Sequence, residues 1–299
     1  MTVITIAAAQ YPIDWLNDWQ AYESKIANWV SEAAGQGADL ALFPEYGAME
    51  LASLVPDQAG DLAGSLEVVT QFAHRVDDLH ASLATKHQLL IVAASLPCKL
   101  DDGSFVNRAR IFAPNGKQGF QDKLVMTRFE NEHWHVAAGS RVSVFDTDIG
   151  RMGICICYDS EFPLIGRAMC DAGAEVLLVP SCTDSLQGYW RVRLGCLARA
   201  LENQCLVVQS PTVGMAPWSP AVDENHGAAG FYAPPDGSFP ADGIVRIGTV
   251  DQPGWVSGTF DLNSLRELRA GGSVLNARDW QRQPGAGTLG SVEIVDLRS

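Results

Sequence analysis

The chain reads as an α/β protein, a four-layer αββα sandwich of two sheets packed face to face with helices on both outer surfaces. Three observations lead there. Short apolar runs of strand length alternate with segments of helical periodicity. Two helix-to-strand passages recur: Gly37-Ala-Asp-Leu-Ala-Leu-Phe-Pro-Glu45 resembles Gly173-Ala-Glu-Val-Leu-Leu-Val-Pro-Ser181, and His87 to Ser95 resembles Asn203 to Pro211. Finally, a sheet covered by helices on one side must still bury its other apolar face, and a second sheet serves.

The elements follow in order. A strand over about Val3 to Gln10 precedes a helix with Tyr22, Ile26, Trp29, Val30 and Ala33 on one face, and Asp39 to Phe43 is the next strand. Leu66, Val69, Phe72, Val76, Leu79 and Leu83 mark one further amphipathic helix before the buried run Leu89 to Ala94. Phe105 to Lys123 is a hairpin around Pro114-Asn115-Gly116, with Lys123 closing its second strand. A strand over Arg151 to Cys157 leads through Tyr158-Asp-Ser-Glu-Phe-Pro163 into a helix ending near Gly173. Val176 to Val179 is again strand. Trp190, Leu194, Leu197 and Leu201, at steps of four, three and four, predict a helix feeding the strand Cys205 to Gln209. Beyond Thr212 the pattern loosens, with strand-like pieces at Gly243 to Val250 and Gly254 to Phe260. The expected division is a domain over residues 1–265 and an extended tail over 266–299, of a kind that packs on a neighbouring subunit.

Composition bounds the function. With 47% hydrophobic and 19% charged residues among 299, the chain can bury a large core as a single domain. A net charge of −14 disfavours nucleic acid, whose binding depends on clustered Lys and Arg. No eighteen-residue apolar run and no basic leader are present, which points away from membranes and towards the cytoplasm. Seven cysteines, odd in number and irregularly spaced, read as reduced thiols. Gly285 to Gly290 fits G-x-G-x-x-G but lacks a preceding strand. Cys155 and Cys157 with His133 and His135 lack the spacing of a zinc knuckle, so neither metal nor cofactor is expected.

Chemistry gathers at strand ends. The apolar strand stops at Cys157, and a helix start just beyond it would favour a thiolate. Cys155 shares that strand face by period two, so spacing alone leaves both thiols open. A neutral thiol needs a base. His74, His80, His87 and His226 read as surface residues, which leaves carboxylates. Glu45 follows Leu42-Phe43-Pro44 at the end of a buried strand, where burial would raise its pKa towards the range of about 6 to 7 that suits a general base. Lys123 ends another strand and can supply a neighbouring ammonium. Taken singly, each residue also fits plain strand-end decoration.

Phe43-Pro44-Glu45, Asn107 with Pro114-Asn115-Gly116 leading to Lys123, Gly153 to Pro163, and Ala198 to Gln204 together resemble the nitrilase superfamily of carbon–nitrogen hydrolases over nearly the whole chain. That resemblance implies a Glu45-Lys123-Cys157 triad in an αββα sandwich. It also implies a second glutamate, Glu132 by its spacing to Gly139 with Glu130 as the alternative, and an oxyanion donor at the N–H of Tyr158. Trp190 matches a family tryptophan that serves as core or pocket wall. Many members carry Arg where this chain has Glu161, a change that would disfavour acidic substrates unless Glu161 is paired elsewhere. The expected activity is hydrolysis of a small amide through a Cys thioester, with N-carbamoyl or nitrile hydrolysis as rivals and a non-catalytic scaffold as the alternative of another class. By resemblance the protein forms homodimers or larger homo-oligomers through the helices after Cys157 and around Trp190.

Overall fold

A computed structural model describes residues 3–285. In the first half, strand β1 (Val3–Pro12), helix α1 (Trp19–Gly35) and strand β2 (Leu40–Leu42) are followed by a 3₁₀ segment, Gly47–Leu54. Helices α2 (Pro56–Ala59), α3 (Leu62–Gln71) and α4 (Ala73–His87) come next, and then strands β3 (Leu90–Val92), β4 (Leu96–Lys99), β5 (Phe105–Phe112), β6 (Gln118–Asp122) and β7 (Val136–Ala137). The second half holds β8 (Val144–Thr147), β9 (Gly150–Ile154), α5 (Pro163–Asp171), β10 (Val176–Ser181), α6 (Leu186–Asn203) and β11 (Leu206–Met215). It closes with β12 (Glu224–Asn225), β13 (Gly230–Tyr232), β14 (Ile244–Ile247), β15 (Gly254–Asp261), α7 (Leu262–Gly271) and α8 (Asn276–Asp279).

The strands form one mixed hydrogen-bonded path, β4-β5-β3-β2-β1-β11-β10-β9-β8. Along that path the halves join where Tyr11 and Pro12 of β1 pair in parallel with Thr212 and Val213 of β11, and off it β15 crosses back to pair antiparallel with β1 from Val3 to Gln10. Alternate residues of β1 part company, as the two-residue period of a strand requires. Ala7, Ala9 and Tyr11 pack against Tyr22, Ile26 and Val30 of α1, whereas Ile4, Ile6 and Ala8 share a core with Leu178, Leu206 and Val208 of the other half. The sequence echoes are backbone echoes as well. Gly37 and Gly173 both take positive φ, and Gln88 and Gln204 end their helices in the left-handed conformation at φ 52 and 48.

Three elements differ from expectation. The single helix expected from Leu66 to Leu83 is two, because Phe72 ends α3 and begins α4. Within α6 the predicted stripe faces outward: Trp190, Leu194 and Leu201 are exposed, and Tyr189, Val192, Cys196, Arg199, Ala200 and Asn203 form the buried face. Regular periodicity located the helix but not its inner side, since the small and polar residues are the ones that fit closely against β11. The boundary expected after residue 265 falls inside α7, whose Leu262, Leu265 and Leu268 are buried. Arg269 donates to the carbonyls of Gln204 and Ala174, and Arg167 to that of Ala277, so the described part of the expected tail packs on its own chain. Only Gly285 of the glycine-rich motif lies within the described residues. No helix among the described residues is long and apolar enough to cross a membrane.

Candidate active site

Glu45, Lys123 and Cys157 leave three different strands and converge on one cavity of about 340 Å3. After β2 the chain runs through Phe43 and Pro44, whose carbonyl accepts from Ser95 N–H, and then turns at Tyr46, a non-glycine residue at φ 54. A side chain at Gly47 would meet Ala94 at 2.9 Å, so glycine is what lets the turn close behind Glu45. Lys123 extends the β5–β6 hairpin by one pair, its N–H donating to Asn107 at 2.9 Å. Where the chain returns past Lys123, Gly139 N–H donates to the Lys123 carbonyl at 2.7 Å, and a Cβ there would collide with Asp122.

Three donors fix the Glu45 carboxylate. Asn107 Nδ2 and Lys123 Nζ reach Oε1 at 2.9 and 2.8 Å, and the N–H of Cys182 reaches Oε2 at 2.9 Å. Lys123 Nζ also donates to Glu130 Oε2 at 2.6 Å. Glu130 is further held by the Tyr46 hydroxyl at 2.9 Å and by the N–H and hydroxyl of Thr127. Burial pushes the Glu45 carboxyl up to about 7, opposed by the Lys123 charge and reinforced by Glu130. Burial pushes Glu130 the same way, yet Lys123 and Thr127 outweigh it and hold its carboxyl below the ordinary range. The two glutamates therefore divide their work: Glu130 stays ionised beside the ammonium, and Glu45 can exchange a proton near neutrality. The Lys123 ammonium, although buried, is stabilised well above its ordinary pKa by both carboxylates.

Of the two candidates for the second glutamate, the fold brings Glu130 to the cavity and not Glu132. The latter is exposed and pairs with Arg128 at 2.8 Å on the outer surface. Glu130 and Trp134 begin and end a five-residue π turn and point inward, which leaves the residue midway between them pointing out. Counting back from Gly139 could not register that wider turn.

The two open thiols are separated by backbone geometry. β9 ends at Ile154, and Cys157 takes the left-handed conformation at φ 47, so the period-two relation to Cys155 breaks. Cys155 is fully buried with its sulfur 3.5 Å from Met169 Sδ, while Cys157 lines the cavity. Two features oppose the thiolate expected at Cys157. Burial and the Glu45 charge raise its pKa well above the usual thiol value, Lys123 opposing, and the residue opens a 3₁₀ turn instead of a full helix.

Tyr158 and Glu161 line the cavity. Trp190 does not: it stands exposed on α6 under Arg193, and its neighbour Arg191 reaches the cavity instead, 3.7 Å from Glu161. Burial raises the Glu161 carboxyl pKa despite that arginine. The remaining wall mixes apolar residues, among them Tyr46, Phe129, Trp134 and Val222, with the charged Arg128, Asp184, Asp223 and Glu224. His80, expected at the surface, is buried between Phe43 and Phe112, and burial lowers its pKa to about 4. No group of three or more His, Cys, Asp and Glu side chains among the described residues is arranged to hold a metal ion.

Sequence reasoning gave no role to Asn107, though the hairpin contained the signal. Residues equidistant from Asn115 pair across it, and that rule sets Asn107 opposite Lys123. The N–H of Cys182 had no such signal, because it depends on how β10 meets the first half.

An α/β fold with thiol, carboxylate and ammonium at neighbouring strand ends is the architecture of the carbon–nitrogen hydrolases. Residues 5–249 match the family model described as carbon-nitrogen hydrolase, and the chain belongs to that family, within the nitrilase superfamily. It is 34% identical over 279 residues to a probable hydrolase of Bacillus subtilis, YhcX, covering 93% of this chain and 54% of that protein. The chain thus spans about half of that relative's length. It is 31% identical over 200 residues to a deaminated glutathione amidase of Synechocystis, covering 62% of this chain and 69% of that one. In fold it is similar to Nit3 of Saccharomyces cerevisiae, with a TM-score of 0.72 at 19% identity over 90% of this chain and 93% of that one.

Proposed function

We propose that the protein hydrolyses the carbon–nitrogen bond of a small amide and releases ammonia. The observation that carries this reading is the meeting of Glu45, Lys123 and Cys157 in one cavity. Glu45 takes the thiol proton as sulfur attacks the carbonyl carbon, forming the S–C bond. Lys123 and the N–H of Tyr158, in the first turn of the 3₁₀ segment, meet the oxyanion, and one such donor is typically worth about 2.7 to 4 kcal/mol. Glu45 returns the proton to nitrogen, the C–N bond breaks and ammonia leaves. The same carboxylate then takes a proton from water as its oxygen bonds to the acyl carbon, the S–C bond breaks, that proton passes to sulfur, and the carboxylic acid leaves. Glu130 holds the Lys123 charge throughout. The amidase relative supports an amide substrate.

Two further readings accompany this one. The core shared by β1, β10 and β11 supports the two sheet halves as central layers of an αββα sandwich. The outward stripe Trp190, Leu194 and Leu201 on α6 supports a homo-oligomer that covers it.

The test is an ammonia-release screen over primary amides, N-carbamoyl compounds and nitriles, with Cys157→Ala as control and mass spectrometry for an acyl adduct. Ammonia alone from amides, lost in the variant, bears the proposal out. Carbon dioxide alongside ammonia would move it to a carbamoyl hydrolase. If no substrate turned over and Cys157 were alkylated no faster than Cys155, the scaffold reading would replace it.

A further inference from the structure

Asp159 lies two residues beyond the nucleophile, is fully buried and does not line the cavity. Its carboxylate accepts from three backbone N–H groups on two separate segments. Oδ1 takes Val125 N–H at 2.8 Å and Leu124 N–H at 3.1 Å, and Oδ2 takes Ile156 N–H at 3.2 Å. Leu124 and Val125 follow Lys123 directly, past the end of β6, where no strand partner is present to receive their N–H groups. Ile156 immediately precedes Cys157. The carboxylate therefore joins the segment carrying the ammonium to the turn carrying the thiol.

The far side of that turn is held independently. Ser160 Oγ donates to the Cys157 carbonyl at 2.6 Å, and Arg199 of α6 donates to the Ser160 carbonyl at 2.9 Å. A Cβ at Gly195 would lie 2.9 Å from that same carbonyl oxygen, so α6 presses closely on the turn. Those contacts anchor the turn to the second half of the fold, whereas Lys123 belongs to the first. Among these contacts, the Asp159 carboxylate is the one that crosses from one to the other beside the thiol.

We propose that Asp159 is a positioning residue, the tie that sets Lys123 against Cys157 and so holds the oxyanion partner in register with the attacking sulfur. This rests on the hydrolytic reading above. A neutral carboxamide at the same place has one acceptor oxygen and turns an NH2 group towards an N–H donor, so Asp159→Asn keeps the volume and breaks one side of the tie. Misplacement of about 1 Å at a reacting centre can cost a hundredfold in rate.

The test compares Asp159→Asn with the wild type in kcat, KM, the alkylation rate of Cys157 and thermal melting. A second variant replaces Val125 by its α-hydroxy acid, which deletes the N–H and leaves Asp159 in place. Expected are a kcat at least about thirtyfold lower with KM within threefold for Asp159→Asn, and a smaller fall of the same kind for the ester. Cys157 alkylation should slow in both while the fold persists by circular dichroism. If Asp159→Asn fails to fold, the ester variant decides alone. A kcat within threefold of wild type in a folded variant, or equal losses in kcat and substrate affinity that track melting temperature, overturns the proposal. Should the wild type release no ammonia, the hydrolytic reading fails, while the alkylation rates still report whether the tie acts on Cys157.

Discussion

Glu45 and Glu130 grip one ammonium, that of Lys123, at 2.8 and 2.6 Å, and their proton affinities move in opposite directions. Their difference lies in what else they touch. Glu130 gains the Thr127 N–H and hydroxyl, whereas at Glu45 burial dominates and the Glu130 charge reinforces it.

Removing Glu130's charge should release Glu45 from the repulsion that helps raise it. For Glu130→Gln the acid limb of the pH–rate profile is expected to move down by about one unit, with a fall in kcat of about tenfold or more as Lys123 loses a partner. Glu132→Gln, on the outer surface, should stay within twofold. Rate profiles from pH 5 to 9 on the same amide check both, and an Glu132 variant hit harder than the Glu130 variant would reverse the assignment.

Raised carboxyl pKa values also predict how stability follows pH. Glu45 binds its proton more tightly folded, at about 7, than unfolded, at 4.5, so its contribution is present below the unfolded value and is lost as pH rises through 7. Glu45→Gln removes that penalty. The variant is expected to melt above the wild type at pH 8, by roughly 1 to 3 kcal/mol of stability, with the gap closing towards pH 5. Calorimetry at both pH values measures it.

Glu161 sits where an arginine would welcome acidic substrates, and its partner Arg191 is mostly exposed. Glu161→Gln should raise kcat/KM for carboxylate-bearing amides over neutral ones of equal size by about threefold to tenfold. Paired assays on such amides read the ratio directly. An unchanged ratio would mean that Arg191 already cancels the charge.

The apolar stripe of α6 gives a prediction of assembly. Leu194, 59% exposed, stands at its centre. Leu194→Asp should lower the mass measured by sedimentation if that stripe is covered by another copy, with little effect on melting of the isolated subunit.

Much of this was legible beforehand, and the reasons are local. Glu45 and Cys157 each end an apolar run, the mark of a sheet's rim, and Lys123 closes the second strand of a hairpin whose turn tripeptide is explicit. The hairpin turn and the repeated helix-to-strand passages were equally readable, since glycines at positive φ and closely matching apolar runs act within a few residues. What could not be read depended on contacts distant in sequence. The π turn that selects Glu130 over Glu132 closes with the positive-φ residue His135, and the buried face of α6 is chosen by its fit to β11. Periodicity counts residues along an ideal helix and cannot see either.

The left-handed backbone at Cys157 bears on how this position behaves when catalysis no longer constrains it. Glycine is the residue that takes φ 47 freely, and any other L-residue gives up about 1 kcal/mol there. A library selected for thermal endurance alone should therefore drift from cysteine to glycine at position 157, discarding the proposed nucleophile while strengthening the fold. Screens that enrich stable variants of this chain need turnover as a second criterion, because the most comfortable residue at its reactive position is an inert one.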